Sequence, residues 1–294
     1  MSQKRMNLVS ERRAASRKKP IWASLLYAHL LNMPAVALAS APETGPCSLE
    51  ATVPATIAAV DEDFDLLLDD GRRAALSGLE FPSLTTSGQG LRADALKRLS
   101  EWLAGRDIFL GALAAGPDRW GRFPVRLFAA KGEGAEAPLI SVGAALLEAG
   151  DARFRPDPAA ADCAGDYLLA EARARAAARG LWADAESRPV DPAAPQARAT
   201  LLARKGMTIV EGTIRSVGES RGAIYLNFNE KRWDNFSVVI SRRNLAMFAK
   251  AGFDLLTLTG RRARVRGLIE TGFGPRMEIS TPAEIELIDR ASSP

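Results

Sequence analysis

The sequence predicts an α+β protein, mainly β with helices, built as two small barrel domains in series. Three observations predict it. Strand-like alternation opens both halves of the chain, over 51–77 and again from 207. Helical stretches closed by glycine follow the strands of the first half. Between the halves, residues 187–200 (SRPVDPAAPQARAT) are rich in Pro and Ala with no apolar period. With 294 residues, each half is long enough for its own core. The expected organisation is a signal peptide over 1–39, a first domain over 45–185, a linker over 186–203 and a second domain over 204–290.

Residues 1–19 carry seven Lys or Arg, and 21–39 form an apolar run ending in Ala37-Leu38-Ala39. A charged start, an apolar middle and an A-x-A end make a secretory signal peptide cut after Ala39. An uncleaved anchor is the rival, but His29, Asn32 and Pro34 interrupt the run as a membrane span. The processed chain is then periplasmic or secreted, and not an integral membrane protein. Export puts Cys47 and Cys163, the only two cysteines, in an oxidising compartment. An even count there favours a disulfide over two free thiols.

Residues 51–60 and 63–77 give three strands in meander order. Phe64, Leu66 and Leu68 alternate with acidic residues, Asp69-Asp70-Gly71 turns the chain, and Arg73, Ala75 and Ser77 share one strand face. A helix over 93–104, strands over 107–113 and 123–129, and helices over 139–149 and 163–179 follow. Arg173, Arg175 and Arg179 on the last helix read as a solvated face with packed stems rather than a nucleic-acid patch. Carboxylates stand at both ends of the first hairpin, Asp61 and Asp63 before it and Glu80 after it. Facing hard oxygen ligands suit Ca²⁺ or Mg²⁺. Charged strand ends are also common, so a solvated strand end competes with that reading.

These blocks resemble the staphylococcal nuclease-like (thermonuclease) family, with its D-G-D-T and D-G-R-x-V-R-L-x-G-I-D-x-P-E core. Here the first stands as Asp61-Glu62-Asp63-Phe64, and the second runs from Asp70-Gly71-Arg72 to Leu79-Glu80-Phe81-Pro82-Ser83. Asp118-Arg119-Trp120-Gly121-Arg122 is similar to its D-x-Y-G-R, and Gly180-Leu181-Trp182 to its closing G-L-W. The resemblance covers about residues 50–184. It implies a small OB-type barrel with three helices, and a Ca²⁺ held by Asp63 and Glu80, joined by the Phe81 carbonyl. It places Arg122 on one of the family's two catalytic arginines. The other falls on Ala75, and the glutamate that activates water falls on Ser83. Alanine supplies no charge and serine no carboxylate.

Charge and histidine content narrow the chemistry. Residues 1–39 carry net +6, 40–204 net −6 and 205–294 net +4, so the basic balance belongs to the leader and the second domain. The one histidine, His29, lies in the leader, which excludes His-based catalysis and His-ligated zinc from the processed chain.

In the second domain, strands are expected over 207–217, 223–228, 236–240, 262–270, 276–280 and 285–288, with a helix over 244–251. That order looks like an OB-fold. Arg262, Arg264 and Arg266 share one face of their strand by period two, and Tyr225, Phe228, Trp233 and Phe236 lie on or beside the second and third strands. Arginines beside exposed aromatics suit single-stranded nucleic acid or another polyanion. Buried aromatics with arginines as a soluble edge form the competing reading. Two functions follow: an exported thermonuclease-like protein with degenerate catalytic residues that binds nucleic acid, another polyanion or a protein partner, or an active Ca²⁺-dependent phosphodiesterase.

Overall fold

The computed structural model describes residues 47–83, 89–132, 134, 136–229, 236–272 and 274–288. The expected leader over 1–39 and Trp233 lie outside the described residues. The described part is a mixed α+β structure, mostly strands, in which a five-stranded barrel closes on itself.

Strand β1 (Val53–Val60) buries Ile57 and pairs antiparallel with β2 (Leu66–Leu68), across a register shift between Ile57 and Ala59. The turn at Gly71, φ +85°, leads into β3 (Arg73–Leu76), where Ala74 and Leu76 face inward. The short β4 (Leu79–Glu80) follows, then α1 (Gln89–Leu103), whose Ala95, Leu99 and Leu103 are buried. Strand β5 (Asp107–Ala112) pairs with β1, and β6 (Arg122–Ala130) pairs with β5 and, in parallel, with β3. That last pairing closes the ring β3-β2-β1-β5-β6 and removes its free edges. Ile57, Leu66, Leu99, Leu103, Val125 and Leu127 form its core.

The helix expected over 139–149 starts later. Leu139–Ser141 is a strand, β7, paired with β6, and α2 (Val142–Ala149) begins at Ser141, whose side chain accepts from the Ala144 N–H. A serine that serves as N-cap ends the extended segment where the helix starts. Next come β8 (Arg153–Phe154), paired with β4, and α3 (Ala164–Ala176). Gly150 ends α2 at φ +77° and lies against the main chain of Arg179 and Gly180; a Cβ at either glycine would stand within 2.3 Å of the other segment's carbonyl oxygen. This contact seats Trp182, 1 % exposed, under α3. The Cys47–Cys163 disulfide ties the segment before β1 to the segment before α3.

The stretch expected as linker is partly folded: Val190 bridges Val210, and α4 (Ala197–Ala203) buries Ala197 and Leu201. Strands β9 (Met207–Thr213) and β10 (Ser216–Glu219) follow, then β11 (Ala223–Asn227), β12 (Ser237–Ser241) and α5 (Leu245–Lys250). The last strands are β13 (Arg262–Leu268), β14 (Glu270–Thr271), β15 (Pro275–Ile279) and β16 (Ile285–Ile288). They form a five-stranded sheet, β10-β11-β12-β15-β14, and a three-stranded sheet, β16-β13-β9, over a core that includes Val210, Leu226, Val238, Phe248 and Ile279. All described residues lie in one compact unit, Thr44–Pro294. Among them no helix is long and apolar enough to cross a membrane.

Candidate functional site

The hairpin does bring its two outer ends together, but a guanidinium stands between them. Arg92, in the first turn of α1, donates to the carbonyls of Glu62 at 2.6 Å and Pro82 at 3.1 Å and to the Asp63 carboxylate at 3.3 Å. It also lies 4.8 Å above the Phe64 ring, which stacks on Phe81 with centroids 3.8 Å apart. Glu80 is drawn the other way. Pairing of β4 with β8 sets it opposite Arg153, and their side chains meet at 2.7 Å. Gly206 covers the same carboxylate: a Cβ there would stand 3.8 Å from Glu80 Oε1.

The two residues expected to hold Ca²⁺, Asp63 and Glu80, are therefore each matched to an arginine. Among the described residues no group of three or more His, Cys, Asp and Glu is placed to hold a metal ion. A hard dication needs several converging oxygens; as arranged, this donor set does not fit one.

Carboxylates and arginines cluster instead one turn away. Arg122, at the start of β6, donates to Asp118 at 2.8 and 3.0 Å and to Asp65 at 3.2 Å. Arg73 on β3 reaches Asp61 and Asp65, both at 2.8 Å. The long side chain of Arg73 is thus committed to these two carboxylates and does not stand in for a charge at Ala75. Asp65 is 4 % exposed; burial pushes its pKa up, the Asp61 charge adds to this, and Arg122 and Arg73 oppose it. Sequence alternation had placed Asp65 with the outward acids. The left-handed backbone at Phe64, φ +64°, breaks that alternation and turns Phe64, Asp65 and Leu66 all inward. Ser83, at the end of the same segment, remains a hydroxyl where the resemblance implies a carboxylate.

One feature of the cluster faces solvent. Asp118 Oδ1 accepts the main-chain N–H of Trp120 at 2.9 Å and of Arg122 at 3.0 Å, which fixes the turn. Trp120 is held 58 % exposed, with the Arg119 and Arg122 guanidinium groups 3.9 and 4.9 Å from its ring centroid. An arginine-flanked, open indole is a surface on which a flat ring can stack.

The arginine face expected on β13 is not open. Arg262 is exposed but pairs with Glu211 at 2.7 Å. Arg264 meets Glu211 and Glu286 at 2.6 and 3.1 Å. Arg266 is fully buried; it holds Glu171 of α3 at 2.8 Å, Glu286 at 2.5 Å and the Phe154 carbonyl at 3.0 Å. Burial works against its charge, yet Glu171 and Glu286 keep its pKa above the ordinary arginine value. These arginines join β13, β16 and α3, and each already has a carboxylate partner. The aromatics named with them divide likewise: Phe228 and Phe236 are each 1 % exposed and pack together, and Tyr225 is 36 % exposed. On α3, Arg173 and Arg179 lie near Glu148 at the surface, and Arg175 pairs with buried Glu171 at 2.9 Å.

The joint gives a direct expectation. Removing one partner of a buried ion pair leaves an uncompensated charge and costs about 3 kcal/mol or more. Arg266→Ala should therefore lower the urea midpoint strongly, whereas Arg262→Ala, at an exposed pair, should shift it by about 0.5 kcal/mol or less. Equal, small shifts for both would contradict a buried role for Arg266.

The fold and this cluster define an OB-like barrel elaborated with helices and stapled by one disulfide. No family model and no curated protein matches the chain.

Proposed function

We propose that this is an exported, non-catalytic relative of the staphylococcal nuclease-like proteins that binds single-stranded nucleic acid through the barrel. The observation that carries the reading is the Asp118–Arg122 turn, which presents Trp120, 58 % exposed, beside two guanidinium groups at the start of β6. Base stacking on an aromatic side chain beside arginine suits any base, and the positive groups suit the phosphates. Loss of chemistry is supported by Ala75 and Ser83, and by the arginines that neutralise Asp63 and Glu80. A Ca²⁺ ion bridging the two would have to compete with Arg153 for Glu80, at 2.7 Å, and with the looser Arg92 contact at Asp63, at 3.3 Å.

The order of the later strands supports reading 204–290 as a second OB-like domain. Only Ile214 and Arg215 separate β9 from β10, and only Ile269 separates β13 from β14, so the two sheets share continuous chain at both places. The Cys47–Cys163 bridge is consistent with an extracytoplasmic location, as the signal-peptide reading requires.

Fluorescence anisotropy with a labelled single-stranded oligonucleotide tests the binding. Stacking on one aromatic contributes about 1–3 kcal/mol per base, so Trp120→Ala should weaken binding roughly ten-fold or more. Binding should also fall as salt rises, because phosphate neutralisation releases counterions. An oligonucleotide that binds Trp120→Ala and unmodified protein equally well would remove the platform from the reading.

A further inference from the structure

A cavity of about 470 Å³ opens on the other side of Ser83, where the end of β4 meets the segment leading into β9. It is large enough for a small metabolite. Its cationic side is made by Arg188, Arg204 and Lys205. Among the described residues none of the three meets a carboxylate: Arg188 donates to the Ala183 carbonyl at 3.3 Å, Arg204 to the Glu186 carbonyl, and Lys205 makes no ion pair. This contrasts with the rest of the described surface around Asp63, Glu80 and β13, where each arginine has its acid. The two carboxylates on the cavity, Asp184 and Glu186, are outnumbered, and Asp184 is engaged with the Glu186 N–H at 3.1 Å.

The opposite side is apolar, with Leu91, Leu181, Met207 and Ile209. Guanidinium forks and an ammonium match a phosphate, and an apolar wall takes an organic body.

We propose that this cavity binds a small organic phosphate ester, with the phosphate on Arg188, Arg204 and Lys205 and the organic part against Leu181 and Met207. The site is separate from the Trp120 platform and does not rest on it. Two sources share the chemistry, a nucleoside monophosphate and a sugar phosphate.

Calorimetric titration of the purified protein distinguishes them, with AMP, ribose 5-phosphate, adenosine and inorganic phosphate as probes. Saturable binding of AMP, ribose 5-phosphate or both, with none of adenosine, is expected, and which ester binds names the source. Loss of charge-assisted hydrogen bonds makes Arg188→Ala with Arg204→Ala at least ten-fold weaker. Arg243→Ala, an exposed cation elsewhere, should bind as the unmodified protein does. An unfolding temperature of the double variant equal to that of the unmodified protein shows that binding is lost and the fold is not. Failure of both esters to bind, binding of inorganic phosphate as tight as that of either ester, or unchanged binding by the arginine double variant would each overturn the proposal. An oligonucleotide that still binds in a protein indifferent to both esters would leave the Trp120 reading standing alone.

Discussion

Replacing Cys47 and Cys163 by serine should destabilise the protein by about 4–5 kcal/mol, the chain-entropy value for so long a closed loop. The bridge joins residues 116 apart in sequence and holds the approach to β1 against the approach to α3. Both ends lie against the barrel core, Cys163 at 1 % exposure and Cys47 partly buried. A typical domain has only about 5–15 kcal/mol in total. The serine variant should therefore unfold at far lower denaturant, and reduction of the unmodified protein should reproduce the shift. A midpoint unchanged by either treatment would show that the bridge adds nothing the core does not already supply.

On the proposed nuclease-like reading, a larger effect is expected at Ala75 and Ser83. A positioned general base contributes about 10²–10⁴ in rate, and one preorganised charge at the transition state roughly 10²–10³. Residues acting together are not additive, but losses at Ala75 and Ser83 together correspond to some 5–10 kcal/mol if they multiply, at about 1.4 kcal/mol per decade. Restoring Ala75→Arg and Ser83→Glu should not by itself bring back Ca²⁺-dependent cleavage, because Arg92 still bridges Glu62, Asp63 and Pro82. Adding Arg92→Ala should release Asp63 and raise Ca²⁺-dependent cleavage measurably above the double variant. A double variant that already cleaves DNA would show that Arg92 does not stand in the cation's way.

Much of the barrel was legible because its strands obey period two and α2 ends at glycine. Leu66 and Leu68, Ala74 and Leu76, and the Gly150 helix stop are all signals within a few residues. Gly180 is not such a stop: α3 ends earlier, at Ala176, with Ala177 as its cap. What escaped depended on partners far along the chain. Arg266 looks like the third member of an outward arginine row; only the packing of α3, which brings Glu171 from 95 residues earlier, turns it into a buried joint. Glu80 looks like a free ligand until the two-residue strands β4 and β8 pair it with Arg153, 73 residues away. Two residues are too few to carry a period. Arg92 gave no signal either, because a cation in a first helical turn is ordinary until a second segment is folded against it. Asp65 was misread for a local reason, the left-handed backbone at Phe64, as was the start of α2, set by the Ser141 N-cap.

Digestion of a fluorogenic DNA substrate by the purified protein, in Ca²⁺ and again in EDTA, tests the proposed non-catalytic role most directly. With Asp63 and Glu80 held by Arg92 and Arg153, and with Ala75 and Ser83 in place of charge and base, the signal should stay at background in both buffers. Rapid cleavage that EDTA stops and Arg122→Ala abolishes would contradict it, and would make this chain a working phosphodiesterase.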